Sequence, residues 1–169
     1  DRGSVDVVVN CAGITRDKTF KRMEDDQWYD VINVNLNSVY NVTRPLWDAM
    51  LEKEFGRVVN ISSVNGQRGQ FGQANYSAAK AGMHGFTMAL AQEGAAKGVT
   101  VNTVSPGYVS TAMTEAIRED VRNAIISGIP MGRMGSTDEI ASAVEFLVAD
   151  ESGYITGANL PVNGGLYMS

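Results

Sequence analysis

The sequence has almost none of the residues from which disulfides and metal centres are built. A single cysteine, Cys11, excludes an internal disulfide and points to a reducing, cytoplasmic compartment. A single histidine, His84, beside that lone cysteine argues against a zinc site, and no metal is expected. No apolar run approaches the roughly 20 residues of a membrane helix, so no membrane contact is expected. Positive charge is in deficit. Fourteen Lys and Arg against 19 Asp and Glu give a net charge of -5, which speaks against a nucleic-acid partner. A basic-then-apolar leader is lacking, as are internal repeats, low-complexity tracts and linkers.

What is there suits one domain over residues 1–169. Hydrophobic residues make up 44% of the chain, enough for a core. The β-branched run around Val5-Asp6-Val7-Val8-Val9 reads as a strand over 5–10, buried on both faces. A charged loop from Cys11 to Glu24 follows. The spacing of Trp28, Val31, Ile32, Val39, Val42 and Leu46 predicts one long helix over about 25–53, with Asp25 and Asp26 at its positive end. Further strands are expected at 57–61, 99–104 and 158–162. Helices are expected at about 75–97 and 137–149, with a broken helical stretch over 111–135 and a loop from Gly66 to Gly72. Strands separated by helices of this length imply β-α-β units and a parallel sheet with helices on both faces.

The residues that carry chemistry fall just past the strands or on the helices that follow. Tyr76 and Lys80 stand four apart and share one helix face. A lysine ammonium beside a phenol favours the phenolate, so the tyrosine pKa is expected to fall from about 10 toward neutrality. That would make a usable general acid. The competing reading, a surface Tyr and Lys that share a face by chance, is about as common. Ser63 follows a strand at the edge where open α/β sheets bind ligands, although a turn-capping serine is commoner still. Asn35 is a polar residue inside a helix, able to hold a water at a local kink; Asn33 and Asn37 compete for that role. Asn10-Cys11-Ala12-Gly13 and Ser105-Pro106-Gly107 end two strands in glycine turns that allow close approach of a ligand.

Taken in order, the motifs N-C-A-G, V-N-L, I-S-S, Y-S-A-A-K and S-P-G-Y-V-S-T resemble those of the short-chain dehydrogenases/reductases, over the chain from Val5 to its end. Cys11 departs from the family's usual second asparagine. Residues 10–17 are similar to β-ketoacyl reductases. Residues 62–73, Gly85 to Glu93 and the ending Asn163-Gly164-Gly165-Leu166-Tyr167-Met168 are similar to the acetoacetyl-CoA reductases of polyhydroxyalkanoate synthesis, with 3-oxoacyl-(acyl carrier protein) reductases as near relatives.

The resemblance implies a Rossmann-like doubly wound sheet, present as its C-terminal, catalytic part with about four strands. It implies Tyr76 as proton donor, Ser63 polarising the carbonyl, Lys80 holding the nicotinamide ribose, and Asn35 positioning a relay water. Asn10, Ala12 and Gly13 would contact the adenosine side of the cofactor. Tyr76, Lys80, Gly107, Val109 and Thr111 would meet its nicotinamide side. Gln70, Phe71, Gln73 and Tyr108 would line an acyl pocket, with Asp17 and Arg22 near its mouth. The implied cofactor is NADPH, with NADH open; the implied partners are an acyl-CoA thioester and further copies of the chain in a dimer or tetramer. The glycine-rich phosphate turn of the family's first β-α-β unit is not in the sequence. A partial protein, inactive alone or unable to bind cofactor, is therefore an expectation, and a non-catalytic self-associating fragment stays open beside the reductase. Other features read blandly. Gly66, Gly69 and Gly72 lack the strand–turn–helix setting of a dinucleotide fingerprint. His84 reads as packed or partner-facing, and Cys11 as a small buried residue.

Overall fold

The structure is a computed structural model that describes residues 4–111, 114 and 118–168. Four strands, β1 (Val7–Asn10), β2 (Gly56–Ile61), β3 (Val99–Pro106) and β4 (Asn159–Val162), form one sheet in the order β1-β2-β3-β4. All three pairings are parallel, with Val8 opposite Val58, Val58 opposite Val101 and Val104 opposite Leu160. Every residue of β3 is buried, as its run of Val and Thr requires of a strand covered on both sides.

The helices are α1 (Asp25–Ile32), α2 (Ser38–Lys53), α3 (Val64–Arg68), α4 (Ala74–Gly94), α5 (Glu119–Ser127) and α6 (Thr137–Val148). On one face, Trp47 and Met50 of α2 and Ala91 of α4 close over Val8, Val58, Val99 and Val101. On the other, Leu147 of α6 packs on Val59 and Val104, with Ile61, Ile140 and Val144 alongside. Burying a valine or leucine side chain stabilises by roughly 1.5–3 kcal/mol, so these two layers hold the sheet between them. No helix among the described residues is long and apolar enough to cross a membrane.

Four expectations need correction. Strand β1 is buried on one face only: Val8 is covered, while Val7 and Val9 remain 42% and 43% exposed. The reason is that α6 packs against β2, β3 and β4, whereas β1 lies at the sheet's edge. The long helix is two helices joined by a π-helical segment, Asn33–Asn37. The Gly66 region begins as the short helix α3, capped by Ser63, before turning at Gly69. Gly66 is there for contact, since a Cβ would lie 2.8 Å from the Lys80 carbonyl carbon, so only glycine brings α3 this close to α4. Cys11 is exposed, not buried. The broken stretch expected over 111–135 contains α5 and the turn at Gly128–Gly132, and falls partly outside the described residues at 112, 113 and 115–117.

Candidate active site

The site forms where β1 and β2 end and α4 begins. Strand β2 delivers Ser63 to the C-terminal edge of the sheet. There its backbone is extended and its Oγ accepts a hydrogen bond from the Asn65 amide at 3.1 Å. That bond uses a lone pair and leaves the hydroxyl proton free to donate. The chain then turns through α3 and returns in α4, whose first turns carry Tyr76 and Lys80 on one face. The Ser63 hydroxyl lies on the Tyr76 side, where it favours the phenolate, and the Lys80 ammonium lies 5.7 Å from the centre of the Tyr76 ring.

Lys80 is 3% exposed and donates from Nζ to the Ile61 carbonyl at 2.8 Å. A second tie runs the other way: the Ser62 hydroxyl donates to the Lys80 carbonyl at 2.8 Å. The end of β2 and the Lys80 turn of α4 are therefore braced at two points. Burial draws the Lys80 pKa down from 10.5 to about 8, opposed by the nearby Cys11 thiol. In the folded chain the ammonium gives up its proton above about pH 8; in the unfolded chain it keeps it to 10.5. Between pH 8 and 10 the unfolded state binds more protons, so the Lys80 contribution to stability rises with pH across that window. A titration of the reductively 13C-methylated lysines should show one resonance moving near pH 8; a full set moving only near 10.5 would contradict it.

The tyrosine behaves against expectation. Its pKa is raised, first by burial and further by the Asp17 carboxylate, with the Ser63 hydrogen bond opposing. The Lys80 ammonium, hydrogen-bonded to the Ile61 carbonyl, does not offset the effect of burial. Tyr76 is thus held as the neutral phenol, the protonation state from which a proton can be given.

Asn35 sits in the π segment, wholly buried. Its Nδ2 donates to the Ile14 and Val31 carbonyls, both at 2.9 Å, and its Oδ1 accepts from the Ile14 amide at 3.2 Å. The expected kink is this π turn, and the side chain uses it to hold the loop after β1. Gly13 completes the cluster. A Cβ there would lie 2.9 Å from the Asn35 Oδ1 and 3.5 Å from the Lys80 Nζ, so glycine keeps this approach open. Asp17 is tied in through Gln73, whose Nε2 donates to its carboxylate at 2.8 Å, while the Gln73 Oε1 accepts from Asn65 at 3.0 Å.

Asn35, Ser63, Tyr76, Lys80, Gly13, Asp17 and Gln73 thus come together. The remaining candidates lie elsewhere. Asn10 turns inward, its Nδ2 donating to Asn60 at 2.8 Å and Thr43 at 3.1 Å. Ala12 is exposed beside Gly13. Val109 and Thr111 border an apolar groove of about 700 Å³ that also takes in Val9, Cys11, Ile61 and Ile140. Gly107 lies against Asn163, and Tyr108 faces a separate cavity of about 310 Å³ with Met131 and Arg133. Gln70 and Phe71 stand on an exposed loop tip, Phe71 at 87% exposure, and Arg22 is exposed at the end of a single 3-10 turn. Two contributors escaped the sequence reading: Ser62, and Asn75, whose Nδ2 donates to the Arg16 and Gln27 carbonyls and fixes the loop over the site. Both are polar and buried, which only the tertiary structure reveals.

A parallel sheet ending in a Ser–Tyr–Lys cluster is the architecture of a nucleotide-dependent oxidoreductase. The family model described as enoyl-(acyl carrier protein) reductase matches residues 1–167. The chain belongs to the short-chain dehydrogenases/reductases. It is 78% identical to an acetoacetyl-CoA reductase of Allochromatium vinosum, over 98% of this chain and 68% of that protein. It is 59% identical to an acetoacetyl-CoA reductase of Shinella zoogloeoides, over 99% of this chain and 70% of that protein. A 3-oxoacyl-[acyl-carrier-protein] reductase of Haemophilus influenzae is 50% identical, over the whole of this chain and 70% of its own length.

Proposed function

We propose that the chain is the catalytic part of an NADPH-dependent reductase of 3-ketoacyl thioesters, acting on acetoacetyl-CoA. The observation that carries this reading is the convergence of Ser63, Tyr76 and Lys80 at the sheet's C-terminal edge, with the Lys80 ammonium 5.7 Å from the Tyr76 ring. The site suits a nicotinamide riboside. Lys80 gives one of its three N–H donors to a backbone carbonyl, and Gly13 leaves open the approach to the rest. Lys80 and Gly13 would hold the ribose, and Val109 and Thr111 would border the ring. When bound, the nicotinamide supplies the hydride.

The chain's own residues do the remainder. Ser63 donates a hydrogen bond to the ketone oxygen, which orients and polarises the carbonyl. Tyr76 hands its proton to that oxygen as charge develops on it. Lys80 then faces the phenolate left behind and stabilises it, which is when its charge matters most. The Asn35 amide is spent on the Ile14 and Val31 backbone, so the relay water falls to the main chain of the π turn. The assay is consumption of NADPH with acetoacetyl-CoA, beside the same ketoacyl group on acyl carrier protein. Preference for the CoA ester supports the reading; preference for the carrier protein shifts it to the second class of relative.

The chain also forms a homo-oligomer through α2 and α4 in this proposal. Tyr40, Val42 and Met88 are 57%, 47% and 52% exposed on these helices, and Gly85 has open space beside it. Light scattering should give a dimer or tetramer that Gly85→Arg weakens; a monomer at micromolar concentration would remove this part of the reading.

A further inference from the structure

We infer that His84 is a positioning residue that locks the Lys80 turn to the ends of β2, β3 and β4, acting as a fixed Nε2–H donor. The catalytic part of this inference rests on the ketone-reductase reading; the tautomer does not.

His84 lies one turn beyond Lys80 on α4, half-buried beneath the site. Its Nε2 is 2.9 Å from the Ser62 Oγ and 3.4 Å from the Ser105 Oγ. Each serine has one proton, and each proton is already committed. The Ser62 Oγ lies 2.8 Å from the Lys80 carbonyl oxygen, which can only accept, so the serine must donate there. The Ser105 Oγ donates to the Asn159 side-chain carbonyl at 2.6 Å. Both hydroxyls therefore offer Nε2 lone pairs alone. Nε2 must carry the ring proton, and Nδ1 is left bare in the neutral imidazole. Burial also holds the His84 pKa below its ordinary value, which keeps the ring neutral near pH 7.

The consequence runs through three strands. Ser62 directly follows β2, next to Ser63. Ser105 is in β3, two residues before the Gly107 turn. Asn159 opens β4. One imidazole N–H thus ties the carbonyl-orienting serine's strand, the root of the Gly107 loop and the backbone of Lys80 into a single hydrogen-bonded set. Without it, the Ser62 hydroxyl is free to turn away from the Lys80 carbonyl, and one of the two braces between β2 and α4 is lost. Catalysis by positioned groups is sensitive to such slack, because misplacement by about 1 Å costs on the order of 100-fold.

The chain has one histidine, so its ring gives a single, self-assigned set of signals. Long-range 1H–15N correlation at pH 7.5 should show one tautomer, protonated at Nε2. A ring protonated at Nδ1, or averaging between tautomers, would overturn the inference whatever the activity. Kinetics of the reductase at its relatives' full length supplies the second arm. His84→Leu should lower kcat about tenfold with KM for the ketone unchanged. His84→Gln, which keeps a donor near the Nε2 position, should stay within about threefold of the parent. Unchanged kcat in the Leu variant would refute the positioning role while leaving the proposed reaction intact. Equal losses in the Leu and Gln variants, matched by equal losses of thermal stability, would reduce His84 to packing. If the parent itself reduces no ketone thioester, the functional reading fails and the tautomer measurement alone decides the hydrogen-bonded set.

Discussion

Tyr76→Phe lowers reduction of acetoacetyl-CoA by about 100- to 10,000-fold, the usual range for loss of a general acid. The substitution removes one oxygen and keeps the ring. Packing around the first turns of α4 should hold, since the brace between β2 and α4 runs through Lys80 and Ser62 and not through the phenol. The loss should fall on kcat, because Ser63 still orients the carbonyl and KM reflects that contact. Thermal melting near that of the parent, with turnover lost, is the expected pair of observations. Turnover within a few fold of the parent would make Tyr76 a structural residue. The raised Tyr76 pKa adds a pH signature: without cofactor, no phenolate absorbance should appear from this residue below about pH 10. Appearance of phenolate near neutrality in the cofactor-free protein would restore the lowered pKa that the Tyr76–Lys80 spacing suggests.

That contrast marks what spacing can and cannot carry. Tyr76 and Lys80 at i and i+4 meet on one helix face whatever surrounds them, so their pairing was legible from the sequence. The direction of the tyrosine shift was not. It depends on burial and on Asp17 arriving from a distant loop, and neither has a local signal. The same division holds in the fold. Apolar β-branched stretches placed the first three strands, and a short apolar stretch the fourth, within two residues of their observed starts, and the parallel order followed from the intervening helices. The exposure of Val7 and Val9 was missed, because an apolar run says a strand can be buried on both faces, not that a helix covers both. Asn10 was legible as a strand-ending polar residue. Its inward turn to Asn60 and Thr43 depends on a buried polar chain that continues through Thr87 to Thr103. His84 was read as packed or partner-facing, and its hydrogen bonds are visible only once Ser62, just past β2, and Ser105, in β3, converge on it.

Asn35→Ala should carry the largest stability cost of any single polar substitution in the site. The side chain is wholly buried and makes three hydrogen bonds, all to backbone. Two reach the amide and carbonyl of Ile14, clamping the loop after β1 onto the π turn in the manner of a strand pairing. The third holds the Val31 carbonyl, one turn back at the entry to the π segment. Alanine abandons these groups together, and each buried group left unpaired costs about 1–3 kcal/mol. Water can enter from the Gly13 side, where the loop is exposed, and recover part of that. The net loss should therefore be of order 3 kcal/mol, measured by urea denaturation of the purified chain. Asn35→Asp separates the two ends of the amide. It keeps the acceptor for the Ile14 amide but sets a carboxylate against the Ile14 and Val31 carbonyls. It should be no more stable than the alanine variant, although it is closer in shape. A loss below about 1 kcal/mol in both variants would mean that the π turn holds itself. The close approach of Gly13, Asn35 and Lys80 would then have to be credited to the packing of α4 alone. A large loss in both, with Tyr76→Phe leaving stability untouched, would separate the residue that builds the site from the residue that performs its chemistry.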